Sequence, residues 1–317
     1  MRVAVYLPLL VPVLAAVSAR WLAGRLHPRV GTWLLTATAV GLALTSGLAL
    51  TALAATAVGQ IPLVGALGDW SVGVLHRDDP ASLTLALTAC VLLVLALAAA
   101  GRALIRRTRA LINAARTPRR LPTEIPFGRV VVFDDPCPDA YALPGVPGRI
   151  VVSTGMLDAL NTRERQVLLA HERAHLTCGH HVFVALAYLA AATNPLLRPV
   201  AAAVGYTTER WADEYAASAV GDRRLVARTI AKAALLTSRH QSPPAGALAI
   251  TTGSAATKLR GAGPVPRRVA ALLTAPPRRR RLLLALALTV LALAAACSIE
   301  TVRDLDALFD LARIAAS

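Results

Sequence analysis

The stretch His171-Glu172-Arg173-Ala174-His175 has the residue types and spacing that metal-assisted hydrolysis requires. On a helix, two imidazoles at i and i+4 come to one face, where both can bind a single zinc ion. The intervening glutamate then lies beside the metal, placed to deprotonate a water for attack on a peptide carbonyl. The flanking residues favour a helix. Asn161 or Thr162 supplies a cap, and Val167-Leu168-Leu169-Ala170 buries the side that faces away from the metal.

A catalytic zinc keeps three protein ligands and one open position, so a third donor is needed. His181 follows His175 at the metzincin interval, but that pattern also wants a glycine at position 178 and a methionine downstream. The residue is Cys178, and Met1 and Met156 both lie upstream. His180 and His181 are expected instead to end the helix, where imidazoles suit the negative end of its dipole. The helix-forming segment from Glu209 to Ala217, capped by Thr207 or Thr208, completes the site better. Glu209 and Asp213 share a face, so one carboxylate can bind zinc while the other orients a ligating imidazole through its free N–H.

Together the two motifs resemble the gluzincin signature of the HtpX and CAAX-prenyl-protease group, metallopeptidase family forty-eight. The chain resembles above all the BlaR/MecR-type regulatory peptidases, metallopeptidase family fifty-six, which share that signature. The resemblance implies that His171, His175 and Glu209 bind one Zn2+ per subunit, that Glu172 is the general base, and that Asp213 supports an imidazole from behind. Asp139 to Gly145 and Arg149 to Gly155 are similar to the β-elements that precede the zinc helix in these peptidases, and Arg268 to Leu272 resembles their C-terminal helix. By the same resemblance, the strand around Tyr141 would pair with an extended substrate. Tyr206, Tyr215 and His240 are the candidates for further oxyanion stabilisation.

Elsewhere the chain reads as a membrane protein. Hydrophobic residues make up 56% of it, above what soluble domains carry. The runs Val3 to Ala19, Trp33 to Ala55, Leu83 to Ala100 and Leu282 to Ala296 are read as spans, the first an uncleaved one rather than a signal peptide. Arg20, Arg25 and Arg29 mark the first loop as cytoplasmic, and the acidic loop with Asp69, Asp78 and Asp79 suits the outside. Seven arginines from Arg102 to Arg120, and four from Arg278 to Arg281, then hold the zinc motifs in the cytoplasm.

The net charge of +16 gathers at span ends, where it attracts anionic headgroups. With no helix-turn-helix, finger or aromatic platform, direct nucleic-acid binding is not expected. Cys90, Cys137, Cys178 and Cys297 form no C-x-x-C pair and point to a reducing compartment. Lysine is confined to Lys232 and Lys258 against abundant arginine and alanine, which suits a GC-rich bacterial genome.

One apolar segment constrains the scheme. If Val182 to Gly205 crossed the bilayer, Glu209 would be carried away from His175, so a shared zinc requires the segment to fold back on itself. Asn194-Pro195 supplies the break.

The expected fold is therefore mostly α and multi-pass, with a gluzincin-like α+β peptidase domain holding a small sheet. The expected division is three spans over 1–110, a cytoplasmic peptidase domain over 111–280, a fourth span over 281–298 and a short extracytoplasmic tail over 299–317. That layout at a bacterial cell membrane favours regulatory proteolysis of a cytoplasmic repressor. A tail of this size cannot house a penicillin-binding sensor. The alternatives are HtpX-like quality control of membrane proteins and a non-enzymatic membrane signalling role.

Overall fold

The computed structural model describes residues 6–78, 83–116, 130–145, 148–240, 263–275 and 281–315. Helices α1 (Leu7–Arg25) and α2 (Pro28–Gly59) meet at a sharp break, where Pro28 opens the second helix with its φ already helical. Two short helices, α3 (Pro62–Gly68) and α4 (Val72–Asp78), lead into the long α5 (Leu83–Arg116). Then come strands β1 (Val130–Phe133), β2 (Ala140–Leu143) and β3 (Arg149–Ser153), and helices α6 (Thr154–Ala159), α7 (Thr162–Thr177), α8 (His180–Thr193) and α9 (Arg198–Val220). Helices α10 (Arg223–His240), α11 (Pro264–Leu273) and α12 (Arg281–Ile314) complete the described chain.

Four helices, α1, α2, α5 and α12, are long and apolar enough to cross a membrane. At 34 residues each, α5 and α12 run to about 51 Å, well beyond a hydrocarbon core of about 30 Å. The domain boundaries expected at 110 and 298 therefore fall inside continuous helices. The basic half of α5 extends the third apolar run to Arg116, and the expected tail is a helical extension reaching Ile314. That extension packs on the loop between α2 and α5. Leu308 and Ala312 bury Leu75, and Phe309 meets Trp70 edge to face.

Helix α2 is the hub, packed against α1, α5, α8, α9 and α12. Small residues make this close approach feasible, since Ala19, Ala39, Ala187, Ala190 and Ala201 lie in the shared core and offer little bulk between helix axes. The apolar segment after the His-Glu-x-x-His motif folds back as α8 and α9, joined by a one-turn 3-10 helix over Pro195–Leu197. Asn194 makes the corner, accepting from the Leu196 N–H and donating to Ser46 Oγ, which in turn donates to the Pro8 carbonyl. At the open end, Thr32 donates to Thr207. Thr32 and Ser46 are about 21 Å apart along α2, so the hairpin lies alongside it for most of a bilayer's depth.

One helix start differs from expectation. Thr207 and Thr208 do not cap the Glu209 helix, because α9 begins at Arg198 behind the proline corner and passes through them unbroken. Their hydroxyls bond to the Val204 and Gly205 carbonyls inside the helix.

The sheet has the order β1-β3-β2, with β1 parallel and β2 antiparallel to the central β3. β2 is thus an edge strand. Val130, Ile150 and Val152 pack on Met156, Leu160 and Leu168, which fixes α7 to the sheet. Gly155 allows the β1–β2 connection to close here, since a Cβ would meet the Pro136 carbonyl oxygen at 2.1 Å. The loop-rich segment from Ser242 to Pro264 lies outside the described residues, apart from its last two positions.

Candidate metal centre

The zinc-motif helix is fixed at both ends. Asn161 accepts from the Glu164 N–H while Glu164 accepts from the Asn161 N–H, a reciprocal cap that satisfies two otherwise orphaned donors. Val167, Ala170 and Ala174 bury one face. The helix ends at Thr177 because Gly179 adopts a left-handed conformation (φ 64°), and the chain turns through 60° into α8. His180 and His181 consequently open the next helix instead of closing this one. His181 is exposed, whereas His180 is buried.

Helix α9 packs along α7 and faces it with Glu209 and Asp213. His171 Nε2 lies 3.2 Å from His175 Nε2 and 3.5 Å from Glu209 Oε2, while His175 Nε2 lies 3.6 Å from Glu209 Oε1. Among the described residues, these three are the donors that converge closely enough to hold an ion. Zinc bonds of about 2.0–2.2 Å in a tetrahedron separate neighbouring donors by roughly 3.3 Å. The spacing of the three side chains is compatible with zinc.

Behind them lies Asp213, only 2% exposed, with Oδ1 3.1 Å from His171 Nδ1. Arg268 of α11 neutralises both carboxylates. It grips Asp213 in a two-point contact (2.8 and 2.6 Å) and reaches Glu209 Oε2 at 2.9 Å. Burial works to raise both acids, but the guanidinium and the imidazoles outweigh it and hold them well below the ordinary carboxylate range. The Glu209 side chain is 39% exposed, on the open side of the cleft, whereas Asp213 is enclosed. For His171, burial favours the neutral ring, yet the Asp213 and Glu209 contacts prevail and push it up to about 10. Burial lowers His175 to about 4. The same burial raises Glu172 to about 7, partly offset by the neighbouring His171.

All five residues singled out for the site (His171, Glu172, His175, Glu209 and Asp213) gather here. Tyr206 lies on the α11 side beneath the Arg267 guanidinium, 4.3 Å from its ring centre. Tyr215, six residues past Glu209, is turned about 120° away from it on the helix. The His240 side chain lies outside the described residues. Sequence reasoning missed two members. Arg268 was noted only as part of a helix motif, though its burial need could have been inferred from two carboxylates with too few counter-charges. His180 is expected from sequence to end the motif helix, because nothing in the local pattern signals the bend at Gly179.

Residues 98–283, more than half of the chain, match the model of peptidase family M48. Over 58 residues the chain is 34% identical to a protein named protease HtpX homolog from Levilactobacillus brevis, covering 18% of this chain and 20% of that protein. Over 58 residues it is 41% identical to plastoglobule-localized metallopeptidase 48, chloroplastic, of Arabidopsis thaliana, covering 18% of this chain and 17% of that one. The matched stretch thus spans a fifth or less of either relative's length. No solved structure matches the chain. Of the two families that the motifs resemble, the match is to the one that includes HtpX.

Proposed function

The chain belongs to peptidase family M48, and from that premise we propose that it is a membrane-embedded zinc metalloendopeptidase whose cleft opens at the cytoplasmic face. The observation that carries this reading is the convergence of His171, His175 and Glu209 at the spacing a tetrahedral ion needs. These three would hold the metal, and zinc bound there would supply Lewis-acid polarisation of the attacking water and the scissile carbonyl. Glu172 accepts the water's proton on its carboxylate and hands it to the leaving amine nitrogen. Its place within the motif, between the two imidazoles, sets it beside the metal position, as an acid–base group must be. Asp213 orients the His171 ring, and Arg268 keeps Asp213 ionised.

The free edge of β2 supports a binding mode for substrate. Strand β2 lies against the motif helix α7, so an extended peptide added along this edge would lie across the base. Tyr141, 44% exposed on the same strand, is available to a substrate side chain.

Metal content tests the ligand set. Purified Glu209→Ala is expected to lose zinc while His181→Ala retains it, measured by elemental analysis of the detergent-solubilised protein. Loss confined to the His181 variant would remove Glu209 from the site. Labelled casein as substrate separates an enzyme from a non-enzymatic scaffold.

Orientation is read from the arginine flanks. With the native cysteines replaced, single probes at Thr162, Ser218 and Ala315 should differ towards an impermeant thiol reagent applied to intact cells, with only position 315 labelled. Labelling at 218 from outside would overturn the cytoplasmic placement.

For the substrate, the HtpX-like reading is quality control of membrane proteins, in keeping with a relative named protease HtpX homolog. Cleavage of a cytoplasmic repressor is the narrower reading, favoured by a cleft-bearing region set between the third and fourth apolar helices. Comparing the half-lives of a misfolded membrane protein and a neighbouring-gene repressor in deletion cells distinguishes them.

A further inference from the structure

Each imidazole that faces the metal position has an outer nitrogen, and the two outer nitrogens have different surroundings. His171 Nδ1 lies 3.1 Å from the Asp213 carboxylate. His175 Nδ1 lies 3.1 Å from Nδ1 of a third imidazole, His180. We propose that His180 is a positioning residue, whose Nδ1 lone pair accepts the His175 Nδ1–H and so holds His175 in the tautomer that turns its Nε2 lone pair to zinc. The inference rests on the zinc assignment above.

The direction of this bond follows from the geometry. His175 Nε2 is the nitrogen that faces His171 and Glu209, and a neutral imidazole that binds metal there carries its proton on Nδ1. His180 must therefore accept. On an unbroken helix, residues five apart differ by about 140° and could not touch. The left-handed Gly179 and the 60° bend after α7 bring His180 back under His175.

Burial separates this role from simple packing. His180 is 1% exposed, and its Nε2 has no hydrogen-bond partner among the described residues. Its ring lies 4.8 Å from that of Trp211, in a cluster that continues to Phe183 and Trp33. A leucine or phenylalanine would fill this space without burying an unpaired polar atom. The hydrogen bond that His180 does make goes to His175. Because this acceptor is neutral whereas Asp213 is charged, the site backs its two imidazoles unequally.

The test uses the full chain in detergent, with zinc affinity measured by chelator competition and the visible spectrum recorded after Co2+ substitution. His180→Asn can place a carbonyl oxygen where Nδ1 was, His180→Gln carries its amide towards the Nε2 position, and His180→Phe offers neither. The Phe and Gln variants are expected to bind zinc roughly 10–100-fold more weakly, with altered cobalt bands, and the Asn variant to recover both. Wild-type affinity and spectrum in the Phe variant would overturn the proposal, as would an Asn variant no better than Gln. If the Phe variant does not fold, the Asn and Gln comparison decides. Retention of zinc by both His171→Ala and Glu209→Ala would instead defeat the metal assignment itself. If those two lose zinc while every His180 variant keeps it, only the role of His180 fails.

Discussion

Glu172→Gln is expected to lower peptide hydrolysis by roughly 10²–10⁴-fold while leaving zinc content at the wild-type level. The amide matches the carboxylate in volume, so the packing of α7 on β2 survives. What it lacks is a site that can take a proton from water and return it to the amine. Glu172 is 9% exposed, and the other carboxylate of the motif helix, Glu164, lies about two turns away and is paired with Lys232. Turnover of labelled casein together with metal analysis on the same preparation checks the result. Near-normal turnover would show that another group is the base, and loss of zinc would show that Glu172 holds the site together.

The second large effect is expected at Arg268. Replacing it with leucine should destabilise the folded protein by about 3–5 kcal/mol, because Asp213 is then left buried without its counter-charge. The double variant Arg268→Leu/Asp213→Leu should regain much of the loss, since the enclosed charge is gone and the remaining carboxylate, Glu209, is 39% exposed. The pH dependence has a definite sign. Asp213 is held below the ordinary carboxylate range, so its contribution is present above its unfolded-state pKa and disappears as pH falls through the folded-state value. Without Arg268, burial raises that folded-state value. Acid unfolding of Arg268→Leu should therefore begin at a higher pH than in the wild type, as measured by thermal shift in detergent across a pH series. An unchanged acid limb would mean that Arg268 is not what keeps Asp213 ionised.

The metal face was legible because it depends on local periodicity alone. His171 and His175, and again Glu209 and Asp213, stand four residues apart, and a helix of either segment must align each pair. That the two pairs face one another followed from chemistry, since one ion cannot be shared across a bilayer. The same requirement made the return at Asn194-Pro195 legible. Less accessible were features that arise from contacts distant in sequence. Arg268 reaches Asp213 across 55 residues, a pairing that no period encodes. His180 turns inward through a single left-handed glycine, and a Gly at that position reads equally well as an ordinary helix end. The ends of α5 and α12 were underestimated because apolar runs mark where lipid would lie, while the helices continue into polar sequence as far as their backbone bonding allows.

The hairpin of α8 and α9 has a consequence for which changes of length the chain can tolerate. Its corner is pinned to α1 and α2 through Asn194, Ser46 and Pro8, and its open ends carry His180 and Glu209. Insertion of one residue anywhere between Arg198 and Glu209 would turn the glutamate by about 100° and advance it by about 1.5 Å, swinging it off the face that meets His171. A deletion does the same in the opposite sense. Only changes close to a whole number of turns, made in both arms together, would return the ends to register. An apolar stretch whose composition looks freely exchangeable is therefore held to a fixed count of residues, and frame-preserving insertions or deletions there should be as damaging as loss of a ligand.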